Sequence, residues 1–375
     1  MPESSHDQIL KTLQTMEAPD GAGDVVSRGM VSEIFVADGK AFFSLTVPAA
    51  AADLFEPFCR QAERRIAELD GITSAIVALT AERAAGDPPP PVQSQQPPAG
   101  RARPPRAKPG IPGVQSIVAV ASGKGGVGKS TTAVNLALGF AKLGMKVGIL
   151  DADVYGPSIP RLLGLQGRPE ADGEMLAPRE AYGLKAMSIG LLVDEDTAMI
   201  WRGPMVMSAL TQMLREVAWG NLDMLVVDMP PGTGDAQLTM AQQVPLTGAV
   251  IVSTPQDLAL LDARKGISMF RKVDVPVLGV IENMSYFLCP SCGTRSDIFG
   301  HGGAEAEARR LGVPFLGEVP LHMTIRENSD AGRPVVAVEP DGPHAAIYRQ
   351  IAGKVAEEIG RRDVNRVSEP RIVFE

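Results

Sequence analysis

A chain of 375 residues with 45% hydrophobic content can bury at least one sizeable core, and its length suits two to three domains. A formal net charge of −8 argues against a general nucleic-acid coat, which needs clustered Lys and Arg, yet leaves room for a phosphate pocket built from local donors. Cys59, Cys289 and Cys292 are too few for a disulfide framework, Met1–Gln14 lacks an apolar signal core, and no apolar run approaches the ~20 residues that span a bilayer; a cytoplasmic protein with no membrane contact is expected.

Residues 1–83 read as a small α+β module in the order α–β–β–α–β. Ser4–Gln14 is predicted helical, with Ile9, Leu10 and Leu13 on one side. Met30–Val36 and Ala41–Val47 are predicted strands around the turn Asp38-Gly39. Leu54–Leu69 carries Leu54, Phe55, Phe58, Ile66 and Leu69 at helical spacing, and Ile72–Leu79 is a final strand. Residues 84–113 then read as a linker: ten prolines fall between Pro88 and Pro112, a composition that favours extended, solvated chain. Its basic patch, Arg101, Arg103, Arg106 and Lys108, is read as part of that tether.

Residues 114–361 alternate strand and helix, the pattern of an α/β domain with a mainly parallel sheet covered on both faces. Ile117–Ala121 is an apolar run ending in a Gly-rich loop, and Thr131–Leu143 is helical. Val147–Leu150, Met224–Val227, Val250–Ser253 and Val277–Ile281 are further strands, the first two ending in Asp151 and Asp228. Ligands of such sheets sit at the carboxyl ends of the strands, where this acidic and Gly-rich punctuation falls. Residues 362–375 read as a tail.

The loop Gly123-Lys124-Gly125-Gly126-Val127-Gly128-Lys129-Ser130 satisfies G-x-x-x-x-G-K-[ST] between a predicted strand and a predicted helix, which is the context a phosphate-binding P-loop requires. The glycines let backbone N–H groups converge on phosphate oxygens, and the helix that begins near Thr131 adds its positive end. Lys129 is expected to reach the β- and γ-phosphates of ATP and Ser130 to ligate Mg²⁺. Asp228 stands at the Walker B position and is expected to bind Mg²⁺ through water. Pro230-Pro-Gly-Thr-Gly-Asp235 is placed to sense the γ-phosphate. A strand-end Asp is often only a turn or cap residue, but two behind a P-loop favour catalysis.

The second lysine of the loop, Lys124, resembles the deviant Walker A pattern of the MinD, ParA and nitrogenase iron-protein class. That resemblance implies a homodimer in which Lys124 reaches the partner's nucleotide. It also implies that Asp153 orients the attacking water and that Asp151 helps hold the Mg²⁺ shell. Asp151-Ala-Asp-Val-Tyr-Gly-Pro-Ser158, Pro230–Asp235, Glu282-Asn-Met284 and Cys289-Pro-Ser-Cys292 closely resemble the Mrp/ApbC family of iron–sulfur cluster carrier ATPases over residues 114–361. The resemblance implies an ATP-hydrolysing carrier that passes clusters to apo-proteins, with Asn283 on the adenine base. The N-terminal module resembles the PaaD-like domain often fused ahead of such ATPases, but Thr46-Val-Pro-Ala-Ala-Ala51 has alanines where that domain commonly carries a cysteine, so docking is favoured over ligation.

Thiolates suit zinc and iron–sulfur clusters, and one C-x-x-C supplies two of the four ligands that either wants. Two copies of Cys289 and Cys292 would complete the count, and the resemblance implies a [4Fe–4S] cluster bridging the dimer. Half of a zinc site would look the same, and a redox pair is a further reading. His301 is a candidate extra ligand or a solvated loop residue, and Cys59 a buried small hydrophobe. The alternative to a cluster carrier is a ParA/MinD-like positioning ATPase without a metal centre, which would want a basic face or a C-terminal amphipathic membrane helix; Val364–Glu375 makes a poor one.

Overall fold

The computed structural model describes residues 5–82, 110–192 and 203–368, apart from 22, 33, 38–39, 49–50, 70–71, 73 and 174. The turn Asp38-Gly39 and the linker through residue 109, with its basic patch, lie outside the described residues. The chain divides into two compact units, Met1–Arg103 and Pro104–Glu375.

The first unit contains α1 (Ser5–Gln14), β1 (Phe35–Ala37), β2 (Lys40–Pro48), α2 (Ala52–Ala67) and β3 (Ser74–Glu82). Its sheet has the order β1-β2-β3; β1 pairs antiparallel with β2, and β2 runs parallel to β3 after the α2 crossover. Phe55, Phe58, Cys59, Ala62 and Ile66 bury one face of α2 against Leu45, Val47 and Val77. Leu54, expected on that face, is half exposed, because the 3.6-residue period turns it away while Cys59 and Ala62 fill the stripe. The strand expected at Met30–Val36 shortens to Phe35–Ala37; before it, Val31 makes only an isolated bridge to Leu45.

In the second unit the chain runs through β4 (Val114–Ala121), α3 (Lys129–Lys142), β5 (Val147–Asp151), α4 (Ile159–Leu163) and the short strands β6 (Ala171–Asp172), β7 (Met175–Leu176) and β8 (Arg179–Ala181) to β9 (Leu184–Ser188). It continues through α5 (Gly203–Arg215), β10 (Leu222–Asp228), α6 (Asp235–Gln243), β11 (Gly248–Ser253), α7 (Asp257–Lys272) and β12 (Val277–Leu288). The remaining elements are β13 (Arg295–Ser296), α8 (Gly303–Leu311), β14 (Phe315–Leu321), α9 (Met323–Asp330), α10 (Val335–Val338) and α11 (Pro343–Ser368).

A nine-stranded sheet has the order β13-β12-β11-β4-β10-β5-β9-β8, with β14 beside β12. Its interior pairs are parallel, and only the end strands β8 and β13 run antiparallel to their neighbours. Along β4, Ile117, Ala119 and Ala121 enter one core with α5, α6, α7 and α8, whereas Val118 and Val120 enter the other with α3, α4 and α11. A strand covered on both faces needs apolar residues at every position, which explains the unbroken run. α11 continues to Ser368, seven residues into the stretch read as a tail, after Tyr348, Ile351, Val355 and Ile359 have fixed it to the sheet. Near its start His344 stacks on His322 with ring centroids 4.4 Å apart. Among the described residues no helix is long and apolar enough to cross a membrane.

Candidate functional site

Three adjacent parallel strands, β5, β10 and β4, bring their carboxyl ends together, with Asp228 in register with both Asp151 and Val120. The loop after β4 turns directly into α3, whose first residue is Lys129. Gly126 (φ +80°) and Gly128 (φ +78°) occupy the left-handed region, which other L-residues resist. Space is equally restrictive: a Cβ on Gly128 would lie 2.2 Å from Asn283 Nδ2, and one on Gly123 2.3 Å from the Asp262 carbonyl. The loop is therefore wedged between β12 and α7. Ser122 Oγ donates to the Lys124 carbonyl at 2.9 Å, and Asn283 Nδ2 donates to the Val127 carbonyl at 2.8 Å. From the other side, Gly232 N, in the loop after β10, donates to the Ser122 carbonyl at 3.0 Å.

Lys129 is buried at 6% exposure, and three oxygens surround its ammonium: Asp228 Oδ1 at 2.6 Å, Ser130 Oγ at 3.2 Å and Asp153 Oδ2 at 3.9 Å. Burial raises the Asp228 carboxyl above its ordinary range, against hydrogen bonds from Lys129 and Ser130 that favour its charge. Burial likewise raises Asp153, while the charge of Lys129 opposes it. Asp228 Oδ2 is buried with no hydrogen-bond partner, an orphaned acceptor beside a serine hydroxyl; that hard-oxygen pair suits Mg²⁺.

Asp151 is fully buried at the end of β5, in register with Asp228. Its Oδ2 accepts from Ser158 N at 2.9 Å, Ile159 N at 3.0 Å and Ser188 Oγ at 3.0 Å, and its Oδ1 from Asp153 N at 3.2 Å. Burial, followed by repulsion from Asp228, pushes its carboxyl up to about 7. These bonds, three of them on Oδ2, shape the loop into α4 and present Asp153, while Oδ1 accepts only the one from Asp153 N. Asn283 Nδ2 holds the Val127 carbonyl with one of its two N–H donors, which leaves the other and Oδ1 available to a base.

β12 runs seven residues beyond the expected Ile281 and leads straight into Cys289. Leu288 pairs with Arg295 of β13, Cys289 N donates to the Thr294 carbonyl at 3.0 Å, and Gly293 N donates back to the Cys289 carbonyl at 2.8 Å. The C-x-x-C thus forms the tip of a tight hairpin. Cys289 is half-buried, Cys292 exposed, and neither is in a disulfide. Cys292 Sγ lies 3.1 Å from Thr294 Oγ1; this hydroxyl, the Thr294 backbone and the Cys289 thiol lower the Cys292 thiol below its usual range. A thiol held towards thiolate is a better metal ligand. Cys59 is the opposite case: it is buried in the first unit, and desolvation pushes its thiol up to about 11.

Arg295 had not been singled out, and Glu282 entered only as the first residue of the string Glu282-Asn-Met284, without a role. Arg295 stacks on the Tyr286 ring at 4.3 Å, pairs with Asp297 at 3.0 Å and contacts His301 Nδ1 at 2.7 Å, so His301 is a partner of arginine at the hairpin base. Glu282, fully buried, accepts from Ser285 Oγ at 2.6 Å and from Ala304 N at 2.7 Å at the start of α8. The signal available was one carboxylate directly after the apolar run Val277–Ile281, which requires an internal partner when buried.

A family model described as NUBPL iron-transfer P-loop NTPase matches residues 113–356. A second, described as iron-sulfur cluster assembly protein, matches residues 6–78. The iron-sulfur cluster carrier protein of Escherichia coli K12 is 58% identical over 254 residues, 67% of this chain and 69% of that one. The protein of the same description from Synechocystis is 43% identical over 360 residues, covering 93% and 98% of the two chains. Among solved structures, the nucleotide-binding protein of Archaeoglobus fulgidus in complex with ADP is 44% identical with a TM-score of 0.55, over 62% of this chain and 91% of that one. With a P-loop, a buried Lys–Asp centre and a thiol hairpin on a parallel sheet, and with the family model matching residues 113–356, the chain belongs to the NUBPL iron-transfer P-loop NTPase family.

Proposed function

We propose that this protein is an ATP-hydrolysing carrier that takes up a [4Fe–4S] cluster on Cys289 and Cys292 of two copies and passes it to apo iron–sulfur proteins in the cytoplasm. The observation that carries this reading is the exposed C-x-x-C hairpin, with one thiol lowered towards thiolate, on the same unit as the P-loop. The names of two relatives support it, since the Escherichia coli and Synechocystis proteins are each described as an iron-sulfur cluster carrier protein.

In this reading the backbone from Gly123 through Gly128, with Ser130 and Thr131 at the start of α3, cradles the phosphates. Lys129 moves its charge from Asp228 to the β- and γ-phosphates, and Lys124 reaches the nucleotide of the partner copy. Asp153 orients the attacking water. Ser130 and Asp228 hold Mg²⁺, which supplies neutralising charge when bound. ATP changes cluster affinity only by binding two dimer states unequally. The unit at residues 1–83, joined by the stretch at 84–113, serves as a docking module for acceptors, because its one cysteine is buried in its core.

Anaerobic reconstitution with iron and sulfide tests the reading. Wild type and Cys59→Ala should gain visible cluster absorbance, with four iron and four sulfide per two chains, whereas Cys289→Ala and Cys292→Ala should not. An unchanged spectrum in either hairpin variant would overturn it.

A further inference from the structure

The two halves of the proposed site are joined by a single strand. Asn283, midway along β12, is 7% exposed and holds the P-loop through the 2.8 Å bond from Nδ2 to the Val127 carbonyl. Its amide also fills the space that a side chain at Gly128 would need. Six residues further on, the same strand becomes Cys289. At ~3.3 Å per residue an extended strand covers roughly 20 Å in that interval, so the phosphate loop and the thiol hairpin are two ends of one short rod.

The rod is fixed on one side of Asn283 and deformable on the other. Glu282 anchors it to the start of α8 through Ala304 N and Gly302 N. Next to Asn283, Met284 has φ +55°, a left-handed conformation rare for such a side chain, and the pairing of β12 with β14 slips between Asn283 and Phe287. Beyond that irregularity Tyr286 meets Arg295 at the hairpin base, and Arg295 also contacts His301. A phosphate that draws the loop amides towards itself re-aims the Val127 peptide. The carbonyl of that peptide is the group Asn283 grips, and the left-handed residue beside it is where β12 can yield.

The geometry points to Asn283 as the positioning residue through which nucleotide in the P-loop alters the Cys289/Cys292 hairpin, and through which metal on the hairpin alters nucleotide affinity. This rests on the carrier reading above, for both the phosphate loop and the thiol pair. It goes beyond that reading by assigning the coupling to one buried hydrogen bond and one strand.

The test uses reduced, cluster-free, full-length protein and iodoacetamide, with alkylation followed at each cysteine by mass spectrometry, with and without saturating MgADP. In wild type, MgADP should change the rates at Cys289 and Cys292 by about fivefold or more, the lower end of ordinary couplings between sites. Asn283→Asp keeps the shape but cannot donate to the Val127 carbonyl; at MgADP concentrations that calorimetry shows to saturate the variant, however weakened its affinity, its rates should be insensitive to MgADP. Buried Cys59 is the internal standard, since its modification reports loss of fold. Because coupling is reciprocal, wild type reconstituted with its cluster must bind MgADP with an affinity different from that of cluster-free protein; this measurement decides the matter if the variant does not fold or does not bind. MgADP binding with unchanged thiol rates, equal affinities in the two wild-type forms, or an undiminished effect in Asn283→Asp overturns the inference alone. Absence of MgADP binding to wild type overturns the phosphate-site reading and this inference with it.

Discussion

Lys129 Nζ lies 2.6 Å from Asp228 Oδ1, in a pair where the lysine is 6% exposed and the aspartate fully buried. A buried ion pair adds little net stability, but removing one partner strands the other charge. Lys129→Ala is therefore expected to destabilise the protein by on the order of 3 kcal/mol and to lower ATP hydrolysis at least about 10²-fold. Adding Asp228→Asn should recover most of the stability and none of the activity. Thermal unfolding of both variants, with a phosphate-release assay, checks this; a stable Lys129→Ala protein that hydrolyses ATP normally contradicts it.

Two glycines of the same loop should respond differently to alanine. Gly128 has φ +78° and would place its Cβ 2.2 Å from Asn283 Nδ2, whereas a Cβ at Gly125 meets nothing within 4 Å. The left-handed backbone alone costs about 1–2 kcal/mol, so Gly128→Ala should lower the melting temperature by several degrees. Gly125→Ala should leave it nearly unchanged. Equal melting temperatures for the two variants would refute the wedge between β12 and α7.

Lys124 is half-buried, and its carbonyl accepts from Ser122. If its side chain acts across two copies, Lys124→Ala and Lys129→Ala chains should each be inactive alone and regain up to about a quarter of wild-type hydrolysis when mixed, because random pairing gives half mixed dimers with one intact site. No recovery at any mixing ratio would remove the cross-subunit role.

His344 provides the acid-side prediction. Burial, and then the neighbouring His322, lower its imidazole below the ordinary histidine range. A group whose folded pKa is depressed takes up its proton more readily in the unfolded chain, so stability is present above pH ~6.5 and is lost as pH falls through the lower folded value. His344→Gln should flatten that acid limb in thermal melts between about pH 5 and 7. An identical limb in wild type and variant would show that other groups set it.

How much was legible follows from what each residue had to satisfy. β4, β5, β10 and β11 were readable because strands covered on both faces are unbroken apolar runs, and the P-loop because its glycines and lysine serve one local purpose. β12 was readable only to Ile281; the next seven residues include Glu282, Asn283 and Ser285, whose partners lie on α8, in the P-loop and within the strand itself. The same blindness to distant partners hid the donors that meet Asp151 Oδ2 from Ser158, Ile159 and Ser188. β9 and β14 end in Ser188 and Leu321, with no strand-end aspartate such as marks β5 and β10, and α11 runs through Gly360, a residue that commonly stops a helix, to reach Ser368.

Each chain brings two hairpin thiols, while its third thiol is sealed in the core of another unit. On the four-thiolate arrangement, occupancy therefore counts molecules in pairs, and loading scales with the square of protein concentration. Dilution alone would release the cargo, so an acceptor competes with reassociation of the carrier as well as with the carrier's grip on iron.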